Sequence, residues 1–186
     1  MRIISGKFKG RSINFLKTDS TRPLKDSVKE NILNVITHSN LFNVNLENSN
    51  ILDLYSGIGS FGLECLSRGA KTITFVEKDK KVASILSQNL ISMSCEDKAT
   101  IANEEILKFL NTEIDKKFEI IFFDPPFADN KYIEELKLIF KKKIFKKNHI
   151  IIIHRERKTL DSLENVINPL IIKTYGRSKI IFGNFN

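Results

Sequence analysis

The sequence predicts an α/β fold: a mostly parallel seven-stranded sheet with an antiparallel last strand, helices on both faces and a small N-terminal β-hairpin. Three observations carry that prediction. Short apolar runs of strand length alternate with segments of helical periodicity from about residue 25 to residue 154, the pattern of parallel strands joined by helical crossovers. Phe118 to Phe123 is apolar almost throughout, as a strand covered on both faces should be. A glycine turn, Gly57-Ile58-Gly59-Ser60-Phe61-Gly62, follows the run Ile51 to Leu54 and opens a helix. Glycines at that spacing let the backbone turn tightly and come close to a ligand.

Taken in order, Arg2 to Leu16 reads as two short strands around a Gly-punctuated turn, giving an extension over residues 1–20 ahead of a main domain over 21–186. Thr21-Arg22-Pro23 is a stop before a helix over about 25–38, where Val28, Ile32, Leu33, Val35 and Ile36 recur at helical spacing and Asp26 or Ser27 occupies the first turn. An Asn-rich linker, 39–50, leads to the strand before the glycines. The next helix, about 60–68, ends at Gly69, a natural C-cap. Thr72 to Val76 is a strand finishing at Glu77, and Asp79 caps a helix running to about Ile91. A strand near 98–102 leads to Asn103-Glu104-Glu105 and a short helix. Phe118 to Phe123, a helix over about 130–140 and a strand at 149–154 follow. Leu170 to Tyr175 and Lys179 to Phe182, joined through Gly176-Arg177, close the chain as a β-hairpin.

Length and composition narrow the function classes. A chain of 186 residues with 41% hydrophobic content is one domain with a sizeable core. With no long apolar run and no signal-like opening, a cytoplasmic protein without a membrane partner is expected. Cys65 and Cys95 read as two buried reduced thiols in preference to a single disulfide, and His38, His149 and His154 form no ligand pattern, so no metal site is expected. The net charge of +8 suits a polyanionic partner, although a Lys-rich, Asn-rich and Ile-rich composition raises Lys regardless of function. Arg2, Lys7, Lys9 and Arg11, with Phe8 interleaved, make the first hairpin a candidate nucleic-acid surface or a solvated edge. Lys141-Lys142-Lys143 and Lys146-Lys147 read as a solvated helix end in preference to an RNA-facing patch. His154-Arg155-Glu156-Arg157 follows a strand end and so sits on the ligand side of the sheet, an RNA-contact candidate with Arg155 foremost, as is Arg177 in the last turn.

Ligands of open α/β sheets sit beyond the carboxyl ends of the strands. Three such ends carry chemistry here: the glycine turn, Glu77 and Asp124-Pro125-Pro126-Phe127. Glu77 lies about twenty residues past the glycines, the place for a carboxylate that accepts hydrogen bonds from ribose hydroxyls. Nicotinamide dehydrogenases and S-adenosylmethionine-dependent methyltransferases share both features, and Asp124 to Phe127 separates them. An exocyclic base amine is a poor nucleophile because its lone pair is spread into the ring. The Asp124 carboxylate and the Pro125 carbonyl can accept its two hydrogens and aim the nitrogen. Proline brings no competing donor, and Phe127 offers a face for an extruded base.

Asp-Leu-Tyr-Ser-Gly-Ile-Gly-Ser followed by Asp-Pro-Pro-Phe resembles the amino-methyltransferases of nucleic acids. Arg-Ile-Ile-Ser-Gly, Lys-Gly-Arg, Thr-Arg-Pro-Leu-Lys-Asp-Ser-Val-Lys-Glu-Asn-Ile-Leu-Asn and Leu-Glu-Cys-Leu-Ser-Arg-Gly-Ala together resemble the RsmD family of bacterial 16S ribosomal RNA guanine-N2 methyltransferases, over essentially the whole chain. The resemblance implies a Rossmann-like class I methyltransferase domain, S-adenosylmethionine as cofactor, and 16S rRNA within an assembling 30S particle as substrate for a monomeric cytoplasmic enzyme. It implies that Asp53, Gly57, Gly59 and Gly62 shape the cofactor pocket with Tyr55 and Ser56 beside them. Glu77 would hold the ribose with Lys78 next to it, and Asp124, Pro125, Pro126 and Phe127 the guanine. The family usually has Asp or Asn near the adenine, where this chain offers Asn103, Glu104 and Glu105, with Glu105 in the best register. Arg22 matches the Thr-Arg-Pro segment and meets either cofactor carboxylate or RNA phosphate. An adenine-N6 DNA methyltransferase and a non-catalytic RNA-binding assembly factor are the alternative readings. The first lacks room for a DNA target-recognition domain, and the intact glycines and Asp124 argue against the second.

Overall fold

The computed structural model describes residues 1–15, 24–160, 162–163 and 165–185. The elements are α1 (Asp26–His38), β1 (Asn50–Leu54), α2 (Ser60–Ser67), β2 (Thr72–Val76), α3 (Lys80–Met93), β3 (Ala99–Ala102), α4 (Ile106–Asn111), β4 (Phe118–Phe123), α5 (Tyr132–Lys142), β5 (Phe145–Glu156), β6 (Asn168–Tyr175) and β7 (Ser178–Asn184). The strands form one sheet in the order β3-β2-β1-β4-β5-β7-β6. β1, β2, β3, β4 and β5 pair in parallel, and β7 runs antiparallel to both β5 and β6. This is the expected Rossmann-like sheet with an antiparallel final strand. Strand order reverses between β1 and β4, which opens a crevice at their carboxyl ends.

Side chains alternate between the two faces of a strand, and each face builds its own core. Ile51, Ile73, Phe75, Ile120, Phe122, Ile150 and Ile152 pack with α1, α2 and α3. Leu52, Leu54, Val76, Ile121, Phe123, Ile151 and Ile153 pack with α4 and α5. Two boundary signals act as expected. The Asp79 carboxylate accepts from Lys81 N (2.8 Å) and Val82 N (3.1 Å) at the start of α3, and Gly69 ends the α2 turn at φ +96°. No helix among the described residues is long and apolar enough to cross a membrane.

Two expectations are corrected. The N-terminal segment is not a pair of strands but a turn closed by a single antiparallel bridge, Arg2 to Ser12. Four of its backbone donors go to α2 instead. Ile4 N and Ser5 N donate to the Glu64 carboxylate at 2.8 and 2.9 Å, Lys7 N to Ser67 O at 2.7 Å and Phe8 N to Ser67 Oγ at 2.9 Å. β5 begins at Phe145 rather than 149, so Lys146 and Lys147 lie on a strand, and Lys146 pairs with Glu119 of neighbouring β4. Thr21-Arg22-Pro23, and Arg22 with it, lies outside the described residues.

Candidate functional site

A cleft of about 700 Å³ opens at the carboxyl ends of the strands. Its wall includes Tyr55, Ser56, Gly57, Glu77, Lys78, Glu104, Glu105 and Asp124 to Phe127. The three glycines divide into two roles. Gly57 lines the cleft at φ +55°, and a Cβ there would meet nothing within 4 Å. A Cβ on Gly59 would lie 2.3 Å from Leu86 Cδ1, and one on Gly62 2.3 Å from Phe75 Cε1. Gly59 and Gly62 therefore let α2 pack against β2 and α3, while Gly57 alone presents bare backbone to the cleft. Asp53 stands behind the turn: its Oδ2 accepts from Gly62 N at 3.1 Å. Burial pushes its carboxyl well above the usual carboxylate range, against the pull of that bond, and Asp124 and Glu77 push the same way.

On the β2 side, Glu77 fastens the turn. Its Oε2 accepts from Gly57 N at 2.9 Å and its Oε1 from Asp79 N at 2.8 Å. Each oxygen keeps a second lone pair for a ligand hydroxyl. Glu104 and Glu105 line the wall, with Glu104 paired to Lys108 at 3.5 Å. Asn103 does not line the cleft. Its amide is drawn back to the end of β2, where it donates to the carbonyls of Glu77 (2.8 Å) and Lys78 (3.3 Å).

Tyr55 holds φ +59°, a backbone region that costs a non-glycine residue on the order of 1 kcal/mol. That turn brings its hydroxyl within 3.0 and 2.9 Å of the two oxygens of Glu135 on α5. Glu135 also lines the cleft, and neither the glycine motif nor the strand ends marked it.

On the β4 side, Asp124 N donates to Leu54 O, tying the loop to β1. Arg155 holds the loop from beneath. Its guanidinium donates to Pro126 O (3.1 Å), Phe127 O (3.0 Å) and Asn130 Oδ1 (3.4 Å), and lies 4.6 Å over the Tyr132 ring. Arg155 is 1% exposed, so the expectation that it contacts RNA is corrected: β5 turns it inward. Among the described residues no donor reaches the Pro125 carbonyl, although those of Pro126 and Phe127 are taken. His154, expected on the ligand side only as part of the strand-end segment, meets Asp124, a contact the sequence did not mark. Its Nδ1 lies 2.7 Å from Asp124 Oδ1 and its Nε2 2.9 Å from Ser178 Oγ. Period-2 alternation was a usable signal for both, because Arg155 continues the face of Ile151 and Ile153 and His154 that of Ile150 and Ile152.

The cations of the N-terminal segment stand apart from the cleft. Arg2, Lys7, Lys9 and Arg11 are exposed and line no part of the cleft; Arg11 donates to Ser92 O at 3.1 Å and, like Lys7, lies over the Phe8 ring. Arg177 reaches the cleft rim and pairs with Glu156 at 2.9 Å.

A family profile described as Conserved hypothetical protein 95 matches residues 1–184. Ribosomal RNA small subunit methyltransferase D of Haemophilus influenzae is 35% identical over 168 residues, which covers 89% of this chain and 84% of that protein. The Escherichia coli protein of the same name is 30% identical over 139 residues, covering 75% of this chain and 66% of that one. Among solved structures, yhhF from Escherichia coli superposes with a TM-score of 0.83 at 26% identity, covering 100% of this chain and 98% of the other.

Proposed function

The chain belongs to the Conserved hypothetical protein 95 family, and from that membership we propose that it is an S-adenosylmethionine-dependent methyltransferase acting on the N2 amine of a guanine in 16S ribosomal RNA, within an assembling 30S particle. The observation that carries this reading is one continuous cleft that joins Gly57 and Glu77 to Asp124 and Pro125. The choice of rRNA rests on the two named relatives, and that of guanine N2 on the sequence resemblance.

The residues present fit the cofactor. Val76, Val82 and Ile106 offer apolar wall for an adenine beside the Glu77 carboxylate. Among the described residues carboxylates outnumber cations around the cleft, which suits a sulfonium and disfavours a pyrophosphate. When bound, the cofactor supplies an electrophilic methyl group. The chain supplies position: Asp124 and the Pro125 carbonyl accept the two amine hydrogens, and Phe127 packs on the base. Asp124 orients the amine, whose methylated, cationic form gives up its proton to solvent after transfer. In this reading Arg2, Lys7, Lys9, Arg11 and Arg177 meet RNA phosphates.

Incubation with labelled S-adenosylmethionine and undermodified 30S particles, naked 16S rRNA or plasmid DNA, followed by nucleoside mass mapping, tests the assignment. N2-methylguanosine in rRNA is expected; N6-methyladenine in the plasmid overturns it. Asp124→Ala lowers methylation by at least about 100-fold, while calorimetry still detects cofactor binding. Loss of both together refutes the role given to Asp124.

A further inference from the structure

Three strands meet at His154. It sits on β5, its Nδ1 faces Asp124 at the end of β4, and its Nε2 faces Ser178 at the start of β7. His154 is 7% exposed, and its ring stands edge-on to Phe127, with centroids 5.6 Å apart at 83°. A 2.7 Å separation between Nδ1 and Oδ1 requires a shared proton. A carboxylate has none to give, so Nδ1 carries it. In the neutral ring Nε2 is then the acceptor, and the Ser178 hydroxyl donates to it.

This anchor decides which part of Asp124 is available. A free carboxylate rotates broadly about its terminal torsion and offers either oxygen to a substrate. With Oδ1 engaged by the imidazole, the rotation is stopped and Oδ2 is left for the amine. A misplacement of about 1 Å at a reacting group costs on the order of 100-fold in rate, so the anchor bears on turnover more than on binding.

We propose that His154 is a positioning residue: by donating Nδ1–H to Asp124 Oδ1 it presents Oδ2 to the base amine, with Ser178 fixing the ring from the other side. The proposal rests on the amine-methylation reading above, and its test separates the two.

The first readout needs no substrate. In ¹⁵N spectra of the imidazoles of the wild-type protein, His154 shows the Nδ1–H tautomer, and Asp124→Ala shifts it toward Nε2–H. A wild-type ring held as Nε2–H overturns the proposal whether or not rRNA is methylated. The second readout is steady-state kinetics on the RNA substrate. His154→Leu loses kcat by about 100-fold with both KM values within about twofold. His154→Asn, whose amide can replace the Nδ1–H donor, stays within about threefold of wild-type kcat. Wild-type kcat in His154→Leu overturns the proposal, as does a His154→Asn protein of wild-type Tm that is equally slow. Should His154→Leu fail to fold, the tautomer and His154→Asn decide. A wild-type protein that methylates no RNA removes the functional reading, while the tautomer still decides the anchor.

Discussion

Glu135 shows how one buried carboxylate couples the cleft to stability. It is 3% exposed, and its oxygens face the Tyr55 hydroxyl. Burial pushes its pKa up from 4.5 to about 7; the Tyr55 hydrogen bond pulls down, and Asp129 and Glu134 push up. Between these values the folded protein holds a proton that the unfolded chain has released. Stability contributed by this group is therefore fully present below pH 4.5, falls as pH rises toward 7 and is flat above it. Glu135→Gln keeps an acceptor for Tyr55 and removes the ionisation. The variant should gain Tm relative to wild type at pH 8 but not at pH 4.5, with about 2–4 °C corresponding to each kcal/mol in a chain of this size. Differential scanning fluorimetry across that range checks it. A variant curve parallel to wild type at every pH removes Glu135 as a source. Asp53, whose carboxyl is also raised by burial, contributes with the same sign and keeps some slope in the variant.

The loop after β4 owes its shape to a neighbouring strand. Arg155 replaces three solvent contacts of the loop with hydrogen bonds to Pro126, Phe127 and Asn130. Arg155→Met fills much of the space but leaves two inward carbonyls without that donor. A loss of about 2–4 kcal/mol in urea unfolding is expected, at 1.5–3 kcal/mol for each charge-assisted bond after partial relaxation. A fall in kcat with cofactor binding retained should accompany it; unchanged stability would show that the loop holds itself. The sequence spelled out the elements better than these cross-strand relations. β2 and β4 were legible end to end because apolar runs and strand-end acids are local signals. The glycine motif was legible as a turn, but the division between Gly57 and its two partners depends on Leu86 and Phe75, which approach only in the folded chain. Arg155 looked like an RNA contact because its charge was read without its strand register. In the N-terminal segment, the Gly-punctuated turn suggested two strands, yet Glu64 and Ser67 of α2 take the Ile4, Ser5, Lys7 and Phe8 backbone donors, and the pairing stops at the Arg2–Ser12 bridge.

At the scale of the molecule, two charge patterns of opposite sign are kept apart. The chain carries +8 overall, while among the described residues carboxylates predominate around the cleft. A cationic cofactor inside and a polyanion outside are thus drawn to different places by the same charge distribution. Their affinities should respond differently to salt. Each RNA phosphate neutralised releases counterions, so log K for RNA should fall linearly with log salt at about −0.7 to −0.9 per contact. Cofactor binding, inside a partly enclosed cleft, should change little. Glutamine at Arg2, Lys7, Lys9 and Arg11, which are exposed and outside the cleft, should reduce the magnitude of the RNA slope by about 3 to 4 and leave the cofactor Kd unchanged. RNA titrations between 50 and 200 mM salt, about a 4-fold span that resolves such a slope, provide the measurement. An unchanged slope in the quadruple variant would assign these cations to a solvated face and move the RNA surface to the rim around Arg177.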